Sequence, residues 1–338
     1  MGHLISYDSF PREIVFGIIS AIEKNMTYPL LFVSKEINSH IKSKNIFYNR
    51  LKFTGEVIEL GKFGLLKWAI EHKCPLDYSA CDIAASNGNL EILQWVDIEW
   101  GSGLGDEVCQ NAAEKGHLKI IKWARKNEYI WNSFTCAYAA QNGHFKILKW
   151  ARKNGCEWDS LTCEYAVLNG HFNILKWAKK NGCKWDAKVC ANAALNGHFN
   201  ILRWSRKNGC KWNADTCANA ALNGHFEILK WSKKKKCTWD SNTCANSALN
   251  GHFEILKWAR ENECRWDSKT CANGAKNGHF DILKWARENG CEWDSDTCAC
   301  AAENNHFEIL KWAKENGCQL DIGIYDSAVK NGHFDIVK

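Results

Sequence analysis

Apolar positions along most of this chain recur at helical spacing, and the whole pattern then repeats every 27 residues. The stretch 212–239 shows one period. Cys217, Ala220 and Ala221 lie three and four residues apart and share one face of a predicted helix A. Phe226, Ile228, Leu229 and Trp231 do the same for a predicted helix B. Asn213-Ala214-Asp215-Thr216 offers side-chain oxygens for an N-cap before helix A. Asn223-Gly224 closes it with a glycine suited to the left-handed residue past a helix end. Helix B turns basic and ends in most units on a second Asn-Gly, as at Asn154-Gly155, Asn181-Gly182 and Asn208-Gly209. Two helices of roughly nine to eleven residues and two turns use up the period, so no strand is expected.

The period is marked by Gly-His at 116–117, 143–144, 170–171, 197–198, 224–225, 251–252, 278–279 and 332–333, with Asn305-His306 on the same beat. Helix B carries a Trp column running Trp68, Trp95, Trp123, Trp150, Trp177, Trp204, Trp231, Trp258, Trp285 and Trp312. Self-similarity at this period predicts an all-α solenoid of stacked helix-turn-helix units. The array is expected over 51–338, about ten units and a shortened last one. It ends at Gly332-His333-Phe334-Asp335-Ile336-Val337-Lys338, where an unfinished helix is expected to fray. Residues 1–50 lie outside the repeat. Pro11 suits a helix start, Ile14, Val15, Ile18, Ile19 and Ile22 form one apolar stripe, and Leu30, Val33, Ile37 and Ile41 form another.

The chain has 338 residues and a formal net charge of +6, short of the balance expected of a dedicated nucleic-acid binder. No run of 18 apolar residues occurs, so no membrane span is expected. The N-terminus does not read as a secretory signal, and a cytoplasmic location with free thiols is expected. Most of the 18 cysteines fall in two columns, one before the loop Trp (Cys156 to Cys291) and one early in helix A (Cys163 to Cys298). There is no C-x-x-C, so the cysteines read as small buried apolar residues with no metal. The histidines are expected to bond the turn at the start of helix B. The helix-B Trp are expected in the core. The loop Trp (Trp131, Trp158, Trp185, Trp212, Trp239, Trp266 and Trp293) are expected to staple one unit to the next. Gly101-Ser102-Gly103-Leu104-Gly105 reads as an inserted loop. A basic stripe late in helix B (Arg152-Lys153, Lys179-Lys180, Arg206-Lys207, Lys233 through Lys236) reads first as cations at helix C-termini. The alternative is binding of nucleic acid or an acidic partner. The four-lysine run displaces the Asn-Gly stop and predicts a looser turn there. No catalytic triad, paired carboxylates or cofactor motif is found, so no enzyme is expected and no cofactor is implied.

The string Ala220-Ala221-Leu222-Asn223-Gly224-His225-Phe226-Glu227-Ile228 is similar to the ankyrin repeat, as is Asn289-Gly290-Cys291-Glu292-Trp293-Asp294. The likeness runs from about Leu76 to the C-terminus. The unit departs from the family by its short period, which removes the projecting hairpin fingers. It looks like the Trp- and Cys-rich, fingerless variety found in large DNA viruses of amoebae. The resemblance implies a protein-binding scaffold that uses helix faces and short loops. Phe10-Pro11-Arg12-Glu13-Ile14, Ile18-Ile19 and Leu31-Phe32-Val33-Ser34-Lys35 together resemble an F-box. That resemblance implies docking of a Skp-type adaptor of a cullin ubiquitin ligase through Phe10, Pro11, Ile14, Ile18, Ile19, Leu31 and Val33. The other reading of the segment is a helical cap on the array.

Positions that differ between otherwise near-identical units are expected to be exposed and to choose the protein partner. One column in helix A holds Phe134, Leu161, Lys188, Asp215, Asn242, Lys269 and Asp296. A second holds Tyr138, Tyr165, Asn192, Asn219, Asn246 and Asn273. The chain is expected to be monomeric and not to bind nucleic acid or membrane.

Overall fold

The computed structural model describes residues 50–71, 74–76, 79–101, 107–320, 324 and 331–333. The F-box-like residues, the inserted loop beyond Gly101 and the last helix of the array lie outside the described residues. Twenty helices and no strand occur among them. The helices fall in pairs, a helix A with small buried side chains and a helix B, separated by turns of two or three residues. The first pair is Arg50–Glu59 and Phe63–Glu71, and the last complete pair is Ser295–Glu303 and Phe307–Glu315. Residues 1–158 and 159–338 form two compact units, and each holds stacked repeats of the same kind.

Helix A starts where an Asp or Asn accepts a backbone hydrogen bond. Asn132, Asp159, Asp186, Asp240, Asp267 and Asp294 each bond the N–H two residues on, at 2.9–3.2 Å. Such caps each stabilise a helix by roughly 1 kcal/mol. Asn213 departs from this, its side-chain amide donating to Asp215 instead, and Ser79 and Glu107 make no side-chain cap bond to their helices. Helix A stops at a left-handed residue, glycine as at Gly224 (φ 72°) but Asn305 (φ 61°) after Glu303, and the His225 N–H bonds back to the Ala220 carbonyl at 2.8 Å.

The core lies between the two helices of a unit and the next unit. Helix A contributes Cys217, Ala220 and Ala221, and helix B contributes Ile228 and Leu229, all buried. Helices A stack on one another and on their own helix B. Small side chains on helix A let these backbones approach closely. That closeness overturns one expectation. The helix-B Trp column, from Trp68 to Trp312, is half-buried and stands at the edge of the core. The buried positions of helix B are Ile, Leu and a third small residue, Ala or Ser, and indoles such as Trp285 and Trp312 pack against that core from its edge. Another expectation fails at Lys233–Lys236. The turn there is not looser: the Lys236 N–H bonds Lys233 O and the Cys237 N–H bonds Ser232 O, both at 2.9 Å, as the Asn-Gly turns do. Lys236 takes a φ of 61° to achieve it.

Among the described residues no helix is long and apolar enough to cross a membrane.

Candidate interaction surface

Three columns of polar residues join consecutive units. The first is histidine. Within residues 1–158, His117 and His144 bond the carbonyls of Ser86 and Glu114, each at 3.0 Å. Within 159–338, His198, His225, His252, His279, His306 and His333 bond the last carbonyl of the preceding helix A at 3.0–3.3 Å. A carbonyl only accepts, so Nε2 carries the proton and donates. The expected bond to the turn is thus made, but to the turn of the neighbouring unit. The preceding glycine makes room for the ring: a Cβ on Gly224 would lie 2.7 Å from His252 Cε1. Gly-His is therefore a two-unit feature, with each glycine serving the next histidine.

The second column is asparagine. Asn223, Asn250 and Asn277 donate to the same carbonyls, Leu195, Leu222 and Leu249, at 2.7–2.8 Å. Two donors then satisfy both lone pairs of an otherwise orphaned helix-end oxygen. Asn219, Asn246 and Asn273 make a parallel ladder to the carbonyls of Ala191, Ala218 and Ala245 at 3.0–3.3 Å.

The third column is cysteine, and all 18 thiols are free. The thiols pair across each unit at a spacing of twenty residues: Cys217 donates to the Cys237 sulfur, Cys244 to Cys264, Cys271 to Cys291. The second thiol of each pair then donates to the residue that opens helix A, Cys237 to Asn213 O at 3.4 Å and Cys264 to Asp240 O at 3.3 Å. Donation to a partner sulfur, with burial added, pushes the helix-A thiols well above their usual range. Cys81 and Cys109 have no such sulfur partner, and burial pushes them up to about 11 and about 12. Tyr129 stands in one Cys position and donates its hydroxyl to Asp97 at 2.7 Å.

The outer edge is built of rings and cations. Every helix-B indole from Trp204 to Trp312 meets a loop indole edge-on, as Trp231 meets Trp212 at 5.7 Å and Trp258 meets Trp239 at 5.7 Å between centroids. It also meets the first Phe of the preceding helix B: Trp231 lies 5.5 Å from Phe199. Such edge-to-face pairs add roughly 0.5–1.5 kcal/mol beyond burial. The loop Trp thus staple the units together as expected. Arg206 sits 4.1 Å over the Trp212 ring and donates to the Cys210 carbonyl; Arg152, Arg260 and Arg287 repeat this on Trp158, Trp266 and Trp293. Where it is arginine, the first cation of the basic stripe is therefore a C-terminal cap lying on an indole, and Lys179 and Lys233 lie over Trp185 and Trp239 in the same way. The second, at Lys153, Lys180, Lys207 and Lys234, is exposed.

The candidate recognition columns divide. Phe134, Lys188, Asp215, Asn242, Lys269 and Asp296 are exposed, and Leu161 is half-buried. Lys188 reaches Glu164 at 3.9 Å. Phe134 stacks on Tyr138 at 5.9 Å. The second column departs from expectation: Tyr138 and Tyr165 are half-buried, as are its asparagines, three of which bond the neighbouring helix. Variation there follows what the joint accepts rather than exposure alone. Sequence reasoning missed this ladder and the Arg–Trp caps. The recurrence of Asn at 192, 219, 246 and 273 was the available signal, since a column held constant over four units is a packing column.

No family model matches the chain, and no curated protein matches it. Among solved structures it is similar to the human ASB11 ankyrin repeat domain, at 16% identity and a TM-score of 0.38, covering 47% of this chain and 85% of that one. It is also similar to the pentatricopeptide repeat protein PPR10 from maize, at 13% identity and a TM-score of 0.40, covering 97% of this chain and 56% of that one.

Proposed function

We propose that this chain is a non-enzymatic scaffold for protein–protein interaction. One observation carries the reading. The residue types that would attract a chemical interpretation, histidine and cysteine, are engaged in joining units, while the column that varies from unit to unit is exposed at Phe134, Lys188, Asp215, Asn242, Lys269 and Asp296. Constant joints with a changing outer column are what a stacked array needs to keep its fold while altering what it binds.

The F-box-like segment extends this reading. It would dock a Skp-type adaptor through Phe10, Pro11, Ile14, Ile18, Ile19, Leu31 and Val33 and bring the partner of the repeats to a ubiquitin ligase. A pull-down with purified Skp-type adaptor tests it. The intact chain should bind, and a Pro11→Ala/Ile14→Asp chain should not. Absence of binding by the intact chain would remove the ligase role and leave the scaffold.

The second reading is binding through the basic stripe, favoured by the exposure of Lys180, Lys207 and Lys234. For nucleic acid, affinity should fall steeply with salt as phosphate contacts release counterions.

A further inference from the structure

Exposed charge changes sign within residues 159–338. From 171 to 251 the chain carries 14 Lys and Arg against 4 Asp and Glu, whereas from 279 to 320 it carries 4 against 8. The end of helix B shows the change directly: exposed Lys180, Lys207 and Lys234 give way to exposed Glu261, Glu288 and Glu315. Among the described residues, Lys180, Lys207, Lys234, Lys235 and Lys236 form no ion pair. Elsewhere in the stretch Lys188 pairs with Glu164 at 3.9 Å and Lys230 with Glu227 at 3.1 Å, so it is the helix-B ends that carry the unpaired charge.

At its centre the turn chemistry is broken twice. In other units an Asn ends helix B and donates its side-chain amide to a Trp carbonyl, as Asn181, Asn208, Asn262 and Asn289 do at 2.7–2.8 Å. Lys235 stands in that place and cannot close the same short contact. The next position is a left-handed glycine at Gly155, Gly182, Gly209 and Gly290, but here it is Lys236 at φ 61°. Glu128 and Glu263 tolerate the same conformation, yet each follows a retained Asn. Among the helix-B turns from Asn127 to Gly317, this one alone has both stabilising residues replaced, and both replacements are exposed cations. A local rule broken without local compensation points to selection for something other than stability.

We propose that the helix-B ends and loops of residues 171–251 dock an extended acidic polypeptide segment, with Lys234, Lys235 and Lys236 at the centre of the contact. This deepens the scaffold reading and rests on it. The rings argue for polypeptide over nucleic acid. Lys176 lies 3.9 Å over Phe172, Lys179 4.3 Å over Trp185, Arg206 4.1 Å over Trp212 and Lys233 3.6 Å over Trp239. The loop indoles also have a second indole set edge-on. Their faces are taken, so the base stacking that supports single-strand binding has no open platform. What is left is a ladder of cations. Neighbouring packed helices lie about 9–10 Å apart, close to three residues of extended chain at about 3.3 Å each. A carboxylate at every third residue would meet successive units.

The test is direct binding of a short synthetic peptide with Glu at every third position, read by fluorescence anisotropy. The full chain is compared with a Lys235→Asn/Lys236→Gly variant that restores the turn of its neighbours. That variant should unfold at a higher temperature than the parent and still bind the peptide about tenfold more weakly at low ionic strength. Unchanged affinity in the stabilised variant would overturn the proposal. So would absence of peptide binding by the parent chain, or tighter binding of an oligothymidylate of equal charge. Because the peptide is measured directly, such failures leave the wider scaffold reading to the adaptor pull-down.

Discussion

The joints between units and the outer edge of helix B are made by the same helices, yet they obey different rules. At the joints most units repeat the same small residues, thiols, histidine and glycine, and the histidine and asparagine side chains bond carbonyls of the neighbouring unit. At the outer edge, neighbouring units differ in charge and even in sign. The difference teaches where information sits in a stacked array. A joint must fit two neighbours at once, so a change in one unit is felt in the next. An outer position meets only solvent or a partner and is free to vary.

The sharpest way to break this contrast is to truncate one side chain on each side of it. Leu229→Ala removes a fully buried side chain and should cost about 2–5 kcal/mol. Lys207→Ala, at an exposed position, should change stability by no more than about 0.5 kcal/mol. Denaturant titration of both variants measures the ratio. Equal losses would mean that the outer edge is structural after all.

Two glycines sharpen the contrast further. Gly224 and Gly155 both take left-handed backbone, at φ 72° and 84°. A Cβ at Gly224 would meet the His252 ring at 2.7 Å, whereas at Gly155 it would meet nothing within 4 Å. Gly155→Ala should therefore cost only the backbone penalty, about 1 kcal/mol. Gly224→Ala should cost about 2–3 kcal/mol, because the next unit's histidine must move and strain its bond to Leu222 O. Similar unfolding midpoints for the pair would show that the histidine ladder is not a joint.

The buried thiols make the joints sensitive to alkali. In the folded chain Cys81 and Cys109 hold their protons up to about 11 and about 12, because burial disfavours the thiolate. The unfolded chain loses them near 9.0. The raised values therefore contribute stability that is complete below pH 9 and declines as pH climbs from 9 toward 12. Under reducing conditions the unfolding midpoint should fall between pH 8.5 and 10.5, by about 2 kcal/mol for each such thiol at the upper end. A Cys81→Ala/Cys109→Ala chain should show a shallower fall, and an unaltered slope would contradict the assignment.

The smallest expected effect is a gain. Glu263 sits exposed at φ 66°, where most units place glycine. Glu263→Gly should raise stability by about 1 kcal/mol, detectable as a shift in thermal midpoint. Because Asn262 still bonds the Trp258 carbonyl at 2.8 Å, this variant isolates the backbone term from the two changes combined at Lys235 and Lys236.

Much of the fold was legible because helical period and cap chemistry are local. The spacing of Ile228, Leu229 and Trp231 marks a helix wherever it is packed, and Asp240 caps the helix that follows it through its own backbone neighbours. The candidate surface was legible only in part. Lys188 and Asp215 vary and are exposed, as variation suggests. Tyr138 and Asn219 also vary across the array, yet they are half-buried against another helix. Variation reports the tolerance of a position, and a joint that accepts Tyr or Asn varies as readily as a surface.

By itself, the sequence determined the helix-turn-helix unit, its period, its caps and the columns that recur with it, since all of these depend on residues close along the chain. Only the tertiary structure decided what those columns do. It assigned His225 to the Leu195 carbonyl, Cys217 to the Cys237 sulfur and Arg206 to the Trp212 ring, and it moved the helix-B Trp from the core to its edge. Those outcomes depend on how closely one helix A approaches the next. That distance is set by packing between residues some 27 positions apart, which local patterning does not encode.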